Sequence, residues 1–357
     1  VTPNGSFRLS KINSLTALML GGTLDVGSEG TISIQVTGSI EGASFVSTQR
    51  LGESTRIVRK SAALQGLLAA NPAGPDFVSG VLVLVAEDGI GSVSPLETTA
   101  SEFTASTLRG DIRIHNTGDL MVHQAVASDG IVEIRVDGEL SVETIQVGGA
   151  AHNVVLSTAN GGDVLVGQIT AMDGDISITT DGAIGTLDGL EGNHLASYRL
   201  SLTSANGVGA NGIISMEVSE LTATTDRGDM RLANTGDLLV RYAIAQDGSI
   251  ELSVEGVLTI EILRAHGNGD VALSTIGGGD VTVGLATATG NRLSIESSGA
   301  IEELEDDPAP EVVGAEVVLT AGTNIGSAGS LEAAAVDLEA TASQGNVHVA
   351  NQVSVGT

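Results

Sequence analysis

The densest group of side chains that could do chemistry is an acidic stretch near the C-terminus. Residues 302–310 have the sequence EELEDDPAP. Carboxylate oxygens are the ligands that a hard cation such as calcium prefers, so one interpretation is a calcium site. The other is a solvated loop that points outward. Both interpretations concern the same five residues, which are Glu302, Glu303, Glu305, Asp306 and Asp307.

Gly-Asp pairs and histidines are the other residues with the chemistry to bind a metal. The nine-residue pattern GGxGxDxUx of calcium-binding rolls does not occur, so the aspartates are interpreted as turn residues. The six histidines form no pair at i, i+2 or i, i+4, and the chain has no Cys. His115 and His123 become Ala233 and Arg241 in a second copy of the same segment. We therefore expect no catalytic metal, no catalytic thiol and no cofactor, with calcium as the alternative left open.

The composition excludes some classes of partner. The chain of 357 residues has 15 Lys and Arg against 44 Asp and Glu, a formal net charge of −29. Nucleic-acid binding needs a basic surface, so a nucleic-acid partner is excluded, and an anionic membrane surface is disfavoured. No apolar run approaches the roughly 20 residues of a membrane span. Polysaccharide-active enzymes need aromatic platforms for sugar rings, and aromatics are only 2% of the chain, so we predict no enzyme.

Long repeats must position these residues. The segment RGDIRIHNTGDLMVHQAVASDGIVEIRVDGELSVE from Arg109 recurs from Arg227 as RGDMRLANTGDLLVRYAIAQDGSIELSVEGVLTIE, a shift of 118 residues (227 − 109). Self-similarity at a fixed period is typical of a solenoid. The chain then divides into N-terminal coils (1–53), an insertion (54–79), two long repeats (80–197 and 198–315) and a partial third repeat (316–357).

Shorter turns of Gly with Asp or Asn precede apolar-x-apolar strands within each long repeat. Alternate side chains of a strand point to opposite faces, so the apolar ones should face inward and stack at about 4.8 Å per coil. They form two predicted columns. The first contains Ile32/Ile34, Leu82/Leu84, Ile112/Ile114, Val132/Ile134, Val154/Leu156, Ile176/Ile178, Leu200/Leu202, Met230/Leu232, Ile250/Leu252, Val271/Leu273, Leu293/Ile295, Val317/Leu319 and Val347/Val349. The second contains Leu24/Val26, Leu120/Val122, Leu140/Val142, Val164/Val166, Leu238/Val240, Leu258/Ile260, Val281/Val283 and Val353/Val355.

These columns predict an all-β fold, a single-stranded parallel β-helix (a β-solenoid) that is right-handed and has three short strands per coil. Residues between the inward ones should stack on the outer face. Arg113 should then lie over Glu133, and Arg231 over Glu251. We interpret these pairs as a structural ladder rather than a binding row, because exposed ion pairs are usually a solvated face.

The insertion predicts the one helix of the chain. Over Ser54–Asn71, Ile57, Leu64 and Leu68 recur at helical spacing. The segment starts with a residue that can cap a helix and ends before Pro72. We expect a short helix that covers the open end of the core or lies against its side, because an uncovered strand edge recruits other chains.

The Gly-Asp-aliphatic-x-aliphatic coils, without Cys and with few aromatics, resemble the β-helical repeat regions of filamentous-haemagglutinin-type exoproteins and other giant bacterial surface proteins. The acidic composition and the long-range duplication fit the same resemblance, which covers nearly the whole chain apart from the insertion. It implies a secreted or cell-surface segment used for adhesion, matrix building or contact with other cells.

Our functional expectation is a non-catalytic, structural and adhesive β-solenoid segment of a large bacterial surface protein. It would be extracellular or on the bacterial cell surface, with other cell-surface or matrix components as partners. The alternative is a subunit whose copies join end to end into an extracellular filament or sheath, since solenoid ends permit docking unless capped. A β-helical polysaccharide-active enzyme is the least favoured expectation.

Overall fold

The computed structural model describes residues 7–12, 32–36, 45–46, 54–59, 75, 77–86, 88–91, 94–149, 153–187, 194–305 and 308–352. All regular secondary structure in these ranges is β-strand. Within them, no helix is long and apolar enough to cross a membrane.

The strands belong to two compact units. The first unit comprises Val1–Asp181 and Leu187–Leu190. Its strands are β1 (Phe7–Ile12), β2 (Ile32–Val36), β3 (Phe45–Val46), β4 (Ser54–Arg59), β5 (Phe77–Ala86), β6 (Leu96–Thr107), β7 (Ile112–Asn116), β8 (Leu120–Ala127), β9 (Val132–Val136), β10 (Leu140–Val147), β11 (Val154–Thr158) and β12 (Val164–Thr180).

The second unit comprises Gly182–Thr186 and Glu191–Thr357. Its strands are β13 (Ile184–Thr186), β14 (Leu195–Ser204), β15 (Ile214–Thr225), β16 (Met230–Thr235), β17 (Leu238–Ala245), β18 (Ile250–Glu255), β19 (Leu258–Ile260), β20 (Leu263–Ala265), β21 (Val271–Ile276), β22 (Val281–Val283), β23 (Ala286–Ser297), β24 (Ile301–Glu303), β25 (Val312–Ala321), β26 (Leu331–Ala342) and β27 (Val349–Asn351).

Equivalent strands of successive coils pair in parallel. In the first unit β7 pairs with β9, β9 with β11, and β8 with β10. In the second unit β16 pairs with β18, and β18 with β21. Stacked parallel strands therefore form a β-solenoid in each unit, which confirms the all-β, parallel, stacked architecture. The number of strands per coil and the handedness stay predictions.

Period-2 alternation places the aliphatic side chains inside, as predicted. Ile112, Val132, Val154 and Ile176 follow one another in register and each is fully buried. In the second column Leu120, Leu140 and Val164 do the same. The second unit repeats both stacks, with Met230, Ile250, Val271 and Leu293 in one and Leu238, Leu258 and Val281 in the other.

The stacking predicted for the first column is wrong at the beginning of each long repeat. Leu82 stacks on Phe103, which stacks on Val122, a member of the second column. Leu200 likewise stacks on Leu221 and then Val240. The reason is that alternation decides whether a side chain faces inward but not on which side of the coil it lies. A coil of different length moves its inward pairs from one stack to the other.

In the third repeat Val317 and Leu319 stack on Leu293 and Ile295 as the first column predicts, but Val347 departs from that column. Val347 forms a bridge with Ile325, which bridges Ile301, and Ile301 stacks on Val281 of the second column. Val347 is also 41% exposed. The members of the second column that lie outside the described residues are Leu24, Val26, Val353 and Val355.

The expected helix is wrong where the structure describes its residues. Ser54–Arg59 is strand β4, paired in parallel with β2 on one side and β5 on the other. Thr55, Ile57 and Val58 are β-branched, which favours a strand, and coil-to-coil hydrogen bonding outweighs the helical spacing. Residues 60–74 lie outside the described part of the chain.

Candidate functional site

The five predicted calcium ligands have different environments. The Glu302 carboxylate accepts hydrogen bonds from the backbone amides of Ser327 (2.8 Å) and Ala328 (3.0 Å) and from the Ser327 hydroxyl. Glu305 is exposed, whereas Glu303 is buried. Among the described members of the predicted set, only Glu303 is therefore part of the solenoid interior. The two remaining members lie outside the described residues and are Asp306 and Asp307.

Glu303 instead belongs to a carboxylate cluster that the sequence analysis missed. The cluster consists of Glu303, Glu311 and Glu332, one carboxylate oxygen of each lying within 4.8 Å of the others. Glu303 is opposite Val283 in the pairing of β22 and β24, so it occupies an inward position. Glu311 is only 3% exposed. Three carboxylates meet inside the second unit at the end of β24.

Hydrogen bonds and burial determine the pKa of Glu311 in this cluster. Glu311 Oε2 accepts a hydrogen bond from the backbone amide of Glu332 (2.7 Å). Burial, together with the negative charges of Glu332 and Glu303, raises the pKa of Glu311 to about 7, although backbone hydrogen bonds act in the opposite direction. A proton on Glu311 therefore relieves repulsion near neutral pH. An all-oxygen donor set also suits a hard cation, and the calcium site expected at Glu302, Glu303, Glu305, Asp306 and Asp307 stays a prediction.

The sequence contains one signal that points to this cluster. Glu303 follows Ile301 at the spacing of the inward pairs, so an acid stands where the second column has Val or Ile. An ionisable residue at an apolar column position indicates a partner inside the coil. Glu311 and Glu332 have no such signal, because their approach to Glu303 depends on how successive coils pack.

The predicted structural ladder is present in the strand register. Arg113 lies opposite Glu133 in the pair of β7 and β9, with Nε 3.5 Å from Oε2. Arg231 lies opposite Glu251 in the pair of β16 and β18. Arg113 also contacts Asp111 at 2.9 Å, and Arg231 contacts Asp229 at 3.0 Å, so each arginine has an ion pair with the aspartate two residues before it. These groups are partly exposed, so each pair contributes about 0–1 kcal/mol.

Both long repeats also place a basic side chain between two glutamates on the outer surface. In the first unit, His123 of β8 lies between Glu102 of β6 and Glu143 of β10. In the second unit Arg241 of β17 lies between Glu220 of β15 and Glu261. We call these two groups the corner bridges. Sequence comparison alone suggested that neither His nor Arg is required there, because the two residue types differ.

The only two tyrosines of the chain lie beside the corner bridge of the second unit. The Tyr198 hydroxyl donates to Glu220 Oε1 (3.2 Å), and the Arg199 guanidinium lies 5.8 Å from the centroid of the Tyr198 ring. Tyr242 follows Arg241, and the tyrosines are 46% and 41% exposed. We call Tyr198, Arg199, Glu220, Arg241 and Tyr242 the tyrosine patch. The positions 118 residues earlier are Gly80, Val81, Glu102, His123 and Gln124.

A shallow depression of about 350 Å³ lies on the outer face of the second unit. It crosses β18, β21, β23 and β25 and presents hydroxyl groups and charges, which suit a polar ligand. Arg292 at its rim is engaged by Glu316 at 2.8 Å. The polar residues that line it are Glu251, Ser253, Ser274, Arg292, Ser294, Glu296 and Thr320.

Comparison of the chain with protein-family models, curated proteins and solved structures found no match.

Proposed function

We propose that this chain is a non-catalytic, structural and adhesive β-solenoid segment of a bacterial surface protein, acting outside the cell or at its surface. The observation that carries the proposal is the tyrosine patch. Inward residues recur between the two long repeats, whereas Tyr198, Arg199 and Tyr242 have no counterpart of the same type 118 residues earlier. Tyr and Arg are enriched among the residues that dominate binding energies, so the patch is the best candidate for a contact surface.

Adhesion through the patch can be tested with the full chain. The probes are whole bacterial cells and a panel of immobilised polysaccharides, exposed to fluorescently labelled protein. The double variant Tyr198→Ser/Tyr242→Gln, which takes Gln from the equivalent position of the first repeat, should bind about tenfold more weakly or less. Met172→Ser is the matched control, because Met172 is 56% exposed in the first unit. Equal binding by both variants would refute the patch as the contact surface.

Two alternative functions, end-to-end assembly into a filament and polysaccharide cleavage, predict different experimental results. End-to-end assembly of copies would produce long fibres of constant width in electron micrographs of the native material, whereas isolated particles support the segment of a larger surface protein. A polysaccharide-active enzyme would release new chain ends from the immobilised polysaccharides. Cleavage that single carboxylate substitutions abolish would overturn the non-catalytic proposal.

A further inference from the structure

The corner bridge of the first unit joins three successive coils. His123 Nε2 lies 3.1 Å from Glu102 Oε2, and His123 Nδ1 lies 3.1 Å from Glu143 Oε1. The register between β6 and β8 shifts at this point, since Phe103 pairs with Val122 and Thr104 with Gln124. His123 is thus the extra residue of a β-bulge, which re-aims a side chain relative to the ladder. The bulge places the imidazole between both carboxylates.

The second unit has the same bulge with a different cation. Leu221 pairs with Val240 and Thr222 with Tyr242, so Arg241 is the extra residue. Its Nη2 lies 3.6 Å from Glu220 Oε1, and its Nη1 lies 2.5 Å from Glu261 Oε1. The scaffold therefore keeps a carboxylate–cation–carboxylate bridge at this corner in both long repeats.

The side chains of Arg241 and His123 differ in how their charge depends on pH. Arginine remains charged at any pH that a folded protein tolerates and offers several donors. A neutral imidazole has one N–H donor, so it can donate to only one of two flanking carboxylates, whereas the imidazolium donates from both nitrogens. Only the protonated ring can therefore join Glu102 and Glu143 at the same time.

We propose that His123 is a proton-dependent clamp, which joins the coils of β6, β8 and β10 when protonated and releases one of its two carboxylates when neutral. In the corner bridge of the second unit, Arg241 stays charged and holds both of its carboxylates at every pH that the folded protein tolerates. The clamp makes the first unit respond to acidification at a corner where the second unit does not respond.

The surroundings of His123 determine the pH range. Partial burial alone would lower the pKa of His123, but hydrogen bonds and attraction from Glu102 and Glu143 outweigh it and raise the pKa above 6.5. Those two carboxylates are the charged groups that face the ring from β6 and β10. Its neighbours on β8, Met121 and Gln124, are uncharged. Because the folded-state pKa is the higher one, the stabilisation is complete below about pH 6.5 and is lost as the pH rises through the raised value.

Hydrogen–deuterium exchange of the full chain between pH 5.5 and 8.5, corrected for intrinsic exchange rates, tests the clamp. In the wild type, peptides covering β6, β8 and β10 should lose protection by about two- to fivefold as the pH rises. His123→Arg should keep the protection, and His123→Gln should show the lower level at every pH. Peptides around Arg241 should show no such loss in the wild type, and should acquire one in Arg241→His.

Two outcomes would overturn the proposal. One is that the wild type and His123→Arg lose protection to the same extent. The other comes from NMR of protein with ¹³C-labelled histidine, where the six histidines give few signals and His123→Gln identifies the relevant one. A titration midpoint for His123 at or below 6.5 would exclude a charged clamp. The Gln and reciprocal His variants keep the test decisive if His123→Arg does not fold.

Discussion

A buried asparagine joins adjacent coils at the same place in each repeat. Asn116 is fully buried, and its Oδ1 accepts from the Ala100 amide (2.8 Å) while its Nδ2 donates to the Ala100 carbonyl (3.1 Å). Asn234 makes the matching contact with the Val218 amide (3.0 Å). The Asn side chain substitutes for a strand neighbour where the backbone ladder ends, so it satisfies groups that would otherwise be buried and unpaired.

Replacing Asn116 by Ala should therefore destabilise the first unit. The substitution leaves the amide and the carbonyl of Ala100 without their side-chain partners, and we expect a loss of about 2–4 kcal/mol in the free energy of unfolding. Urea unfolding followed by circular dichroism measures the loss. Thr117→Ala is the control, because Thr117 is exposed and should change stability by less than about 0.5 kcal/mol. Equal effects of the two substitutions would contradict the assigned role.

The protonation of Glu311 gives the second unit its own pH dependence. Its pKa of about 7 lies above the ordinary 4.5, so its stabilising contribution is complete below about pH 4.5 and is lost as the pH rises through about 7. Glu311→Gln keeps an acceptor for the Glu332 amide but cannot ionise. We expect the wild type to lose stability relative to this variant between pH 4.5 and 7. A difference between the two unfolding free energies that stays constant over this range would contradict the raised pKa.

At the scale of elements, the turns require glycine for two different reasons. Gly161 and Gly162 stand next to each other between β11 and β12. Gly161 has φ of +79°, and a Cβ there would meet nothing within 4 Å. A Cβ on Gly162 would instead collide with the backbone carbonyl of Gly138 on the preceding coil. One glycine therefore supplies a left-handed conformation, and the other allows two coils to approach closely.

This difference predicts effects of different size for two neighbouring substitutions. Gly162→Ala should destabilise the first unit by about 1–3 kcal/mol, because the preceding coil must move to accommodate the methyl group. Gly161→Asn should have a small effect, since Asn tolerates the left-handed region and space is available. Urea unfolding midpoints compare the two. A larger effect from Gly161→Asn would mean that conformation, not coil spacing, limits this turn.

The accuracy of the sequence-based prediction differed between elements. Strands with strict alternation, such as β7 and β9, were predicted with the correct inward residues, because alternation is a local property. The helix over Ser54–Asn71 was wrong at β4, because its apolar spacing fits both structures and the neighbouring strands decide between them. The prediction of the stack to which Leu82 belongs was also wrong. The stack depends on coil length, which the turns determine and the alternation within a strand does not reveal.

At the scale of the whole molecule, net charge opposes folding. With 44 acidic and 15 basic side chains, most carboxylates have no cation to pair with, and self-repulsion destabilises the folded state. Salt screens this repulsion, since the Debye length falls from about 30 Å at 0.01 M to about 10 Å at 0.1 M. Stability should therefore rise with ionic strength.

Thermal unfolding in 10 mM and 300 mM NaCl tests this expectation. A gain of about 1 kcal/mol corresponds to a rise of about 2–4 °C for units of this size. KCl at the same concentrations should give the same rise, because screening depends on ionic strength alone. A fall in the midpoint would mean that ion pairs such as Arg113–Glu133 contribute more than the general repulsion.

Unfolding in more than one step is expected, since each coil of a repeat protein contacts only its neighbours.

The amino-acid sequence by itself determined the all-β class, the long repeats, the inward-facing residues and the pairing of Arg113 with Glu133. These follow from alternation and from repeat length, which are counted along the chain. Only the tertiary structure decided that Glu303 meets Glu311 and Glu332, and that His123 and Arg241 occupy equivalent bridges. Those contacts depend on β-bulges and on the packing of one coil against the next, so the partners of Glu303 and the bridging position of His123 have no local signal in the sequence.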